Sequence, residues 1–194
     1  VEKGDWSDLG DIVMALSARA RRERRLEAAR GYLALDMPKQ ALRELNAIES
    51  PEECVFANYQ LRGEALRQGE EYDSALESYR RAYNEDPNDL SVLFGMAWCF
   101  KRIDRLPDAI DAMEQAYSTA PEEPSVLYNL ACYHCLAGHK AEALSWLGRS
   151  LRMDGSLRRL ISEESDFDSL RHDPDFQFVT GDLDDGDQPS AHWK

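Results

Sequence analysis

The chain has 194 residues, of which 43% are hydrophobic, and it carries a formal net charge of −14. This length and composition suit one ordinary domain or a short array of repeats, and they argue against wholesale disorder. The acidic balance disfavours nonspecific binding to nucleic acid or to anionic lipid. The sequence has no run of 18 apolar residues, so we expect no direct insertion into a membrane. Four cysteines do not make a disulfide framework in a chain of this size, which favours a reducing compartment such as the cytoplasm.

The first predicted element is an amphipathic helix within residues 1–21. Its apolar stripe consists of Trp6, Leu9, Ile12, Val13 and Leu16. The helix is interpreted either as a cap on the elements that follow or as a docking helix that folds back onto the chain or forms a homo-oligomer. Arginines cluster at its end and beyond it, and they either steer a partner or keep this end solvated: Arg19, Arg21, Arg22, Arg24, Arg25 and Arg30.

A period of 34 residues organises the middle of the chain, residues 22–157. The units are 22–55, 56–89, 90–123 and 124–157. The twentieth position of each unit is alanine: Ala41, Ala75, Ala109 and Ala143. The eighth is small and the twenty-fourth is a larger apolar residue: Ala29, Gly63, Ala97 and Ala131, then Leu45, Tyr79, Met113 and Leu147. Such a period predicts stacked helix pairs, because small residues let two helices cross closely.

This pattern resembles the tetratricopeptide repeat, which has a small residue at position eight, alanine at twenty and proline at thirty-two. The second unit shows the pattern best, through Tyr59, Gly63, Leu66, Tyr72, Ala75, Tyr79, Ala82 and Pro87. The resemblance implies an all-α fold, a right-handed superhelical array of antiparallel helix pairs with an N-terminal helix and a C-terminal capping helix. It also implies a noncatalytic protein with no cofactor.

Residues 158–180 are predicted to form a capping helix and a closing segment, and residues 181–194 an acidic flexible tail. The capping helix is expected to use Leu157, Leu160 and Ile161. The stretch from residue 165 to 176 is similar to segments that close many bacterial arrays of this family. The side chains expected to pack against the last unit are Phe167, Leu170, Phe176 and Phe178.

The resemblance assigns a partner-binding surface to the first helix of each unit. The residues carried over are Glu23, Leu26, Arg30, Leu33, Ala57, Gln60, Glu64, Arg67, Ser91, Phe94, Trp98, Lys101, Ser125, Tyr128, Cys132 and Cys135, with Arg102 at the rim. Phe94, Trp98 and Tyr128 lie outside the packing columns, so these aromatic side chains are expected either to anchor a partner or to be covered by a flanking segment of the chain. The expected partner is another protein, bound through a peptide or an amphipathic helix that meets a basic rim.

Three functions stay open at this point. The first is an interaction adaptor or scaffold, and the second is a chaperone-like holder of an unfolded or exported client. The third is a thiol or metal protein that uses Cys132 and Cys135, with His139 on the same helical face. The ordinary explanation of these cysteines is a small apolar filler, and no metal site is predicted. The sequence has no phosphate-binding loop, nucleophile elbow or metalloprotease helix, so no catalytic residue is proposed.

Overall fold

A computed structural model describes residues 6–181, with side chains from residue 16 onward. This part of the chain is helical and contains no β-strand. None of its helices combines the length and the apolarity that crossing a lipid bilayer requires. Most of the predicted N-terminal stripe, from Trp6 to Val13, lies outside the described side chains, and the predicted tail from residue 182 lies outside the described residues.

Ten α-helices follow one another in residues 6–181. They are α1 Trp6–Ala34, α2 Pro38–Asn46, α3 Val55–Gln68, α4 Tyr72–Glu85, α5 Leu90–Arg102, α6 Leu106–Thr119, α7 Pro124–Leu136, α8 Lys140–Met153, α9 Arg158–Ile161 and α10 Pro174–Thr180. Short 3₁₀ helices span Pro51–Cys54, Gly155–Leu157 and Ser165–Leu170. The described residues form two compact units, one with α1 to α5 up to residue 103 and one with α6 to α10 from residue 104.

The first helix is longer than a single repeat helix. α1 runs without interruption from Trp6 to Ala34, so residue 21, where the sequence analysis placed a boundary, lies inside a helix. The arginine-rich stretch, residues 19–30, lies within this continuous helix. Its arginines are largely paired with glutamates: Arg19 with Glu23, Arg21 with Glu49, Arg22 with Glu53, Arg25 with Glu44 and Arg30 with Glu27. This pairing favours the interpretation of a solvated end over that of an anion-attracting patch.

The 34-residue period reappears in the backbone between helices. A residue with positive φ ends the first helix of each predicted unit: Asp36 at 54°, Glu70 at 62°, Asp104 at 60° and Gly138 at 77°. After Asp36, Glu70 and Gly138, the N–H of the next residue donates to a carbonyl in the last turn of the helix. For example, the N–H of Met37 donates to the carbonyl of Tyr32 at 2.9 Å. Three of these left-handed positions hold residues other than glycine, which the sequence pattern did not reveal.

The predicted packing columns form the core. Every residue of the eighth, twentieth and twenty-fourth columns is buried, and the four alanines of the twentieth column are at most 1% exposed. In the first unit α1, α2 and α3 share one apolar cluster that includes Leu45 and Leu61. Two helices begin with common N-terminal residues. The Asp89 carboxylate caps α5 by accepting from the N–H of Val92 at 2.9 Å, and Pro107 lies in the first turn of α6.

The closing segment of the second unit packs as predicted at two of its aromatic residues and not at the third. Phe167 is 0% exposed and Phe176 2% exposed, and their ring centroids lie 5.5 Å apart. Phe178 is 62% exposed, so its expected packing was wrong. Two residues along the short helix α10 separate Phe178 from Phe176, and this spacing turns the two side chains to different faces. Leu160, expected in the cap, is also exposed, whereas Ile161 is buried.

Candidate functional site

A group of aromatic and guanidinium side chains lies on one face of the first unit. We call it the Trp98 cluster, and it consists of Arg67 on α3, Tyr72 at the start of α4, and Trp98 and Arg102 on α5. The guanidinium of Arg67 lies 4.8 Å from the Trp98 ring centroid, and that of Arg102 lies 5.4 Å from it. The Tyr72 ring meets Trp98 edge-on at 5.4 Å. Trp98 is half-buried and Arg102 is exposed, so the cluster offers an aromatic surface with positive charge at its edge.

A hydrogen-bonded network beneath the cluster fixes Arg67. Its Nη2 lies 2.5 Å from Oε1 of Glu64, and Glu64 also accepts from the hydroxyl of Tyr79 at 3.0 Å. Burial raises the pKa of Glu64, but the bonds and charge of Arg67, with the bonds from Tyr79 and Gln68, outweigh it and leave the pKa below its ordinary value. The carboxylate therefore stays ionised and holds the guanidinium against Trp98.

Tyr79 connects the network to the repeat core. Its pKa is raised, first by burial and then by the charge of Glu64, so its hydroxyl keeps its proton and donates. Its ring lies between Gly63 on α3 and Gly95 on α5, where an added Cβ would approach the ring at 2.7 Å and 2.3 Å respectively. The small residue at each of these positions thus makes room for the tyrosine that supports Glu64.

Other predicted binding residues lie on α3 and α5, and one lies on α1. Gln60 on α3 bonds the hydroxyl of Ser91 on α5 at 2.5 Å. Phe94 and Lys101, also on α5, are half-buried. Arg30 on α1 is exposed and pairs with Glu27 at 3.2 Å. These side chains are at least partly exposed, as are those of Glu64, Arg67, Trp98 and Arg102.

Two predicted binding residues of the first unit belong to its core. Leu26 is 7% exposed and Leu33 is 8% exposed, and both belong to the cluster that joins α1 to α2 and α3. Their assignment to a partner surface is therefore corrected. These large apolar side chains of α1 fill the junction with α2 and α3.

Three predicted binding residues of the second unit are also covered. Tyr128, Cys132 and Cys135 on α7 are 6%, 2% and 4% exposed. Phe167 of the closing segment meets the Tyr128 ring edge-on at 5.7 Å, and the Cys135 sulfur lies 3.4 Å from the hydroxyl of Ser169. Their assignment to a partner surface is corrected, because the chain's own closing segment occupies that face of α7.

The predicted thiol group is not brought together either. Two of the three residues named for it make separate contacts: Nδ1 of His139 lies 3.3 Å from Nδ1 of His134, whereas Cys135 contacts Ser169. Burial is the main cause that raises the pKa of Cys135, and it raises the pKa of Cys99 to about 12. Thiols with raised pKa values stay protonated near neutral pH, which disfavours redox chemistry at these two residues.

Tyr72 is the residue of the cluster that the sequence analysis did not assign to the site. It appeared only as a repeat-pattern residue, yet it contacts Trp98 and accepts a hydrogen bond from Nε of Arg102 at 3.2 Å. The signal available was its place one turn after α3, where the chain brings the start of α4 beside the end of α5. A surface assigned only to the first helix of each pair omits such a residue.

Comparisons with known proteins agree with the fold. No family profile and no curated protein sequence matches the chain. Among solved structures, MamA of AMB-1 is 16% identical with a TM-score of 0.65, over 90% of this chain and 95% of that chain. MamA of Desulfovibrio magneticus RS-1 is 15% identical with a TM-score of 0.65, over 83% and 94%. YrrB, a TPR protein with an unusual peptide-binding site, is 16% identical with a TM-score of 0.61, over 81% and 86%.

These likenesses and the helix pairs show an all-α fold of the kind found in tetratricopeptide-repeat structures. The chain therefore has the fold that the 34-residue period predicted. At identities of 14 to 17% the likeness establishes the fold, and the work of the protein is inferred from its own surface.

Proposed function

We propose that this protein is a noncatalytic interaction scaffold that binds an acidic segment of another protein at the Trp98 cluster. The observation that carries the proposal is that the half-buried Trp98 ring contacts the guanidinium groups of both Arg67 and Arg102. An aromatic ring that is already held in place loses little conformational freedom when a partner packs on it. The solved structure of YrrB, described as having a peptide-binding site, supports this kind of use for the fold.

The charge of the cluster favours an acidic partner. Glu64 neutralises the charge of Arg67. Arg102 is exposed and stacks on Trp98 and Tyr72, and none of the ion pairs described above for residues 16–181 includes it. Lys101 adds a second cationic side chain beside it on α5. A segment with aspartate or glutamate next to an apolar residue, extended or helical, matches this combination of charge and aromatic surface.

Selection from a random peptide library displayed on phage tests the proposal without a known partner. Peptides retained by the wild-type protein should combine acidic and apolar residues. The double variant Phe94→Ala with Trp98→Ala should keep its helical circular dichroism and bind the selected peptides about 30-fold more weakly, since a central aromatic contact contributes about 2 kcal/mol or more.

Trp146 provides a matched control for this experiment. It is also half-buried, with the Tyr117 ring edge-on at 5.0 Å and the Arg149 guanidinium at 4.5 Å, but it lies on α8, the second helix of its pair. Trp146→Ala should leave the peptide affinity unchanged. Equal affinities of the wild-type protein and the double variant would contradict the proposal. Retained peptides with no shared chemistry would instead favour a holder of unfolded chains.

A further inference from the structure

A thiol and two carboxylates converge where the closing segment meets α7. The Cys132 sulfur and carboxylate oxygens of Glu164 and Asp166 all lie within 4.8 Å of one another. Cys132 is 2% exposed and Asp166 7% exposed, while Glu164 is half-buried. Two carboxylates this close repel each other, and removing them from water increases that repulsion. A bound cation would offset both costs.

An unsatisfied phenol lies at the same place. Tyr128 precedes Cys132 by one helical turn on α7, and its ring contacts Phe167, the residue after Asp166. Burial raises the pKa of Tyr128, and the charges of Cys132, Glu164 and Asp166 raise it further. Tyr128 is 6% exposed, and its buried hydroxyl has no hydrogen-bond partner in the protein. Buried polar atoms in folded proteins are nearly always paired, so this hydroxyl is available to hydrogen-bond a ligand or water.

Arg171 shapes the backbone of the closing segment beside this group. Arg171 donates to the backbone carbonyls of Ile161 and Glu164 at 3.1 Å and 2.8 Å, and to the Asp168 carboxylate at 2.7 Å. Its charge is therefore already opposed by Asp168. The guanidinium holds the closing segment in shape while the carboxylates of Glu164 and Asp166 stay directed toward Cys132.

We propose that Cys132, Glu164 and Asp166 bind one zinc ion, with a water molecule bonded to the Tyr128 hydroxyl as the fourth ligand. Zinc is borderline in softness, accepts sulfur and carboxylate oxygen together, and takes four ligands in a tetrahedron. Bond lengths of about 2.3 Å to sulfur and about 2.0–2.2 Å to oxygen place neighbouring ligand atoms roughly 3.3–3.8 Å apart. Side-chain rotations that draw the present atoms together by about an ångström complete this geometry.

Binding has a defined proton balance and a structural result. The Cys132 thiol loses its proton to buffer as the sulfur–zinc bond forms, so binding releases one proton and strengthens with pH. The ion joins α7 to the closing segment, and it would hold covered the face of α7 that the sequence analysis had assigned to a partner. The site thus adds a structural metal to a fold whose proposed function does not need one.

Isothermal titration of the chelator-treated full chain with zinc chloride tests the proposal. We expect one equivalent bound, a heat that depends on buffer ionisation, and a raised melting temperature. Cys132→Ser and Asp166→Asn should each weaken binding on the order of 100-fold or more, whereas Cys135→Ser, a buried cysteine on the same helix, should bind as the wild type does. Absence of stoichiometric binding, or unchanged affinity in Cys132→Ser, would overturn the proposal.

X-ray absorption of the zinc-loaded wild-type protein adds a measurement that needs no variant, because substitution of a buried residue can unfold a chain. The spectrum should show one sulfur at about 2.3 Å and the remaining ligands as oxygen. A shell of imidazole nitrogen without sulfur would place the ion at His134 and His139 and would also overturn the proposal.

Discussion

Replacing Gly95 by alanine disturbs the packing that supports the Trp98 cluster. A Cβ atom at residue 95 would lie 2.3 Å from Cζ and 2.5 Å from Oη of Tyr79, well inside van der Waals contact. The ring has little room to move, because Gly63 also lies against it and Tyr79 is 1% exposed. The tyrosine must therefore leave its position and its hydrogen bond to Glu64.

The expected net loss in the free energy of unfolding is about 2–4 kcal/mol. Overpacking a filled core costs about 1–3 kcal/mol. Losing a hydrogen bond to a charged group costs a further 1.5–3 kcal/mol, roughly. Alanine in a helix returns only about 1 kcal/mol relative to glycine, which does not offset these losses.

Urea denaturation followed by circular dichroism measures this effect, and Gly31→Ala provides the control. Gly31 lies on α1 and a Cβ there would meet no atom within 4 Å, so that variant should gain about 0.5–1 kcal/mol from helix propensity alone. The reasoning is refuted if Gly95→Ala is as stable as Gly31→Ala, since the two substitutions differ only in what the added methyl group meets.

Three further predictions concern other parts of the structure. Phe167→Ala should lower the free energy of unfolding by about 3–5 kcal/mol, and Phe178→Ala should change it by less than about 0.5 kcal/mol; equal effects in urea would contradict the described packing. Glu64→Gln should be less stable than the wild type at pH 7. This difference should shrink as the pH falls below 4.5, the ordinary pKa, and through the lower folded value, because the stability given by a depressed carboxyl pKa is lost there; a gap independent of pH would argue against an ionic role. Burial and His139 lower the pKa of His134 below 6.5, so the unfolded state takes up a proton first and wild-type stability should fall as the pH drops from that value; His134→Asn should flatten this dependence in parallel thermal melts, and an unchanged slope would refute it.

The fold was predictable because the repeat makes the same packing demand four times. Alanine at Ala41, Ala75, Ala109 and Ala143 is at most 1% exposed at each place, and no other steric explanation accounts for a period of 34 residues. The left-handed turn at Glu70 was not visible in the sequence. A glycine would indicate such a conformation in the sequence, whereas glutamate adopts it only because the helices on both sides require it.

The candidate site was predictable only in the first unit. Trp98 was identified because it is a large aromatic residue outside the packing columns. It lies on α5, the expected helix, and its ring contacts Arg67. Tyr128 satisfied the same rule, yet Phe167 covers it. A position in the repeat predicts which way a side chain faces, but it does not predict what covers that face. At the end of an array, a segment outside the repeat can cover it.

Photo-crosslinking tests the binding proposal most directly. With p-benzoylphenylalanine in place of Phe94, one turn from Trp98 on α5, the protein should crosslink a selected acidic peptide on irradiation, and mass spectrometry should map the bond to residue 94. The same photoreactive residue in place of Phe178, which is 62% exposed, should give no crosslink. Crosslinking at residue 178 with none at residue 94 would contradict a binding surface at the Trp98 cluster.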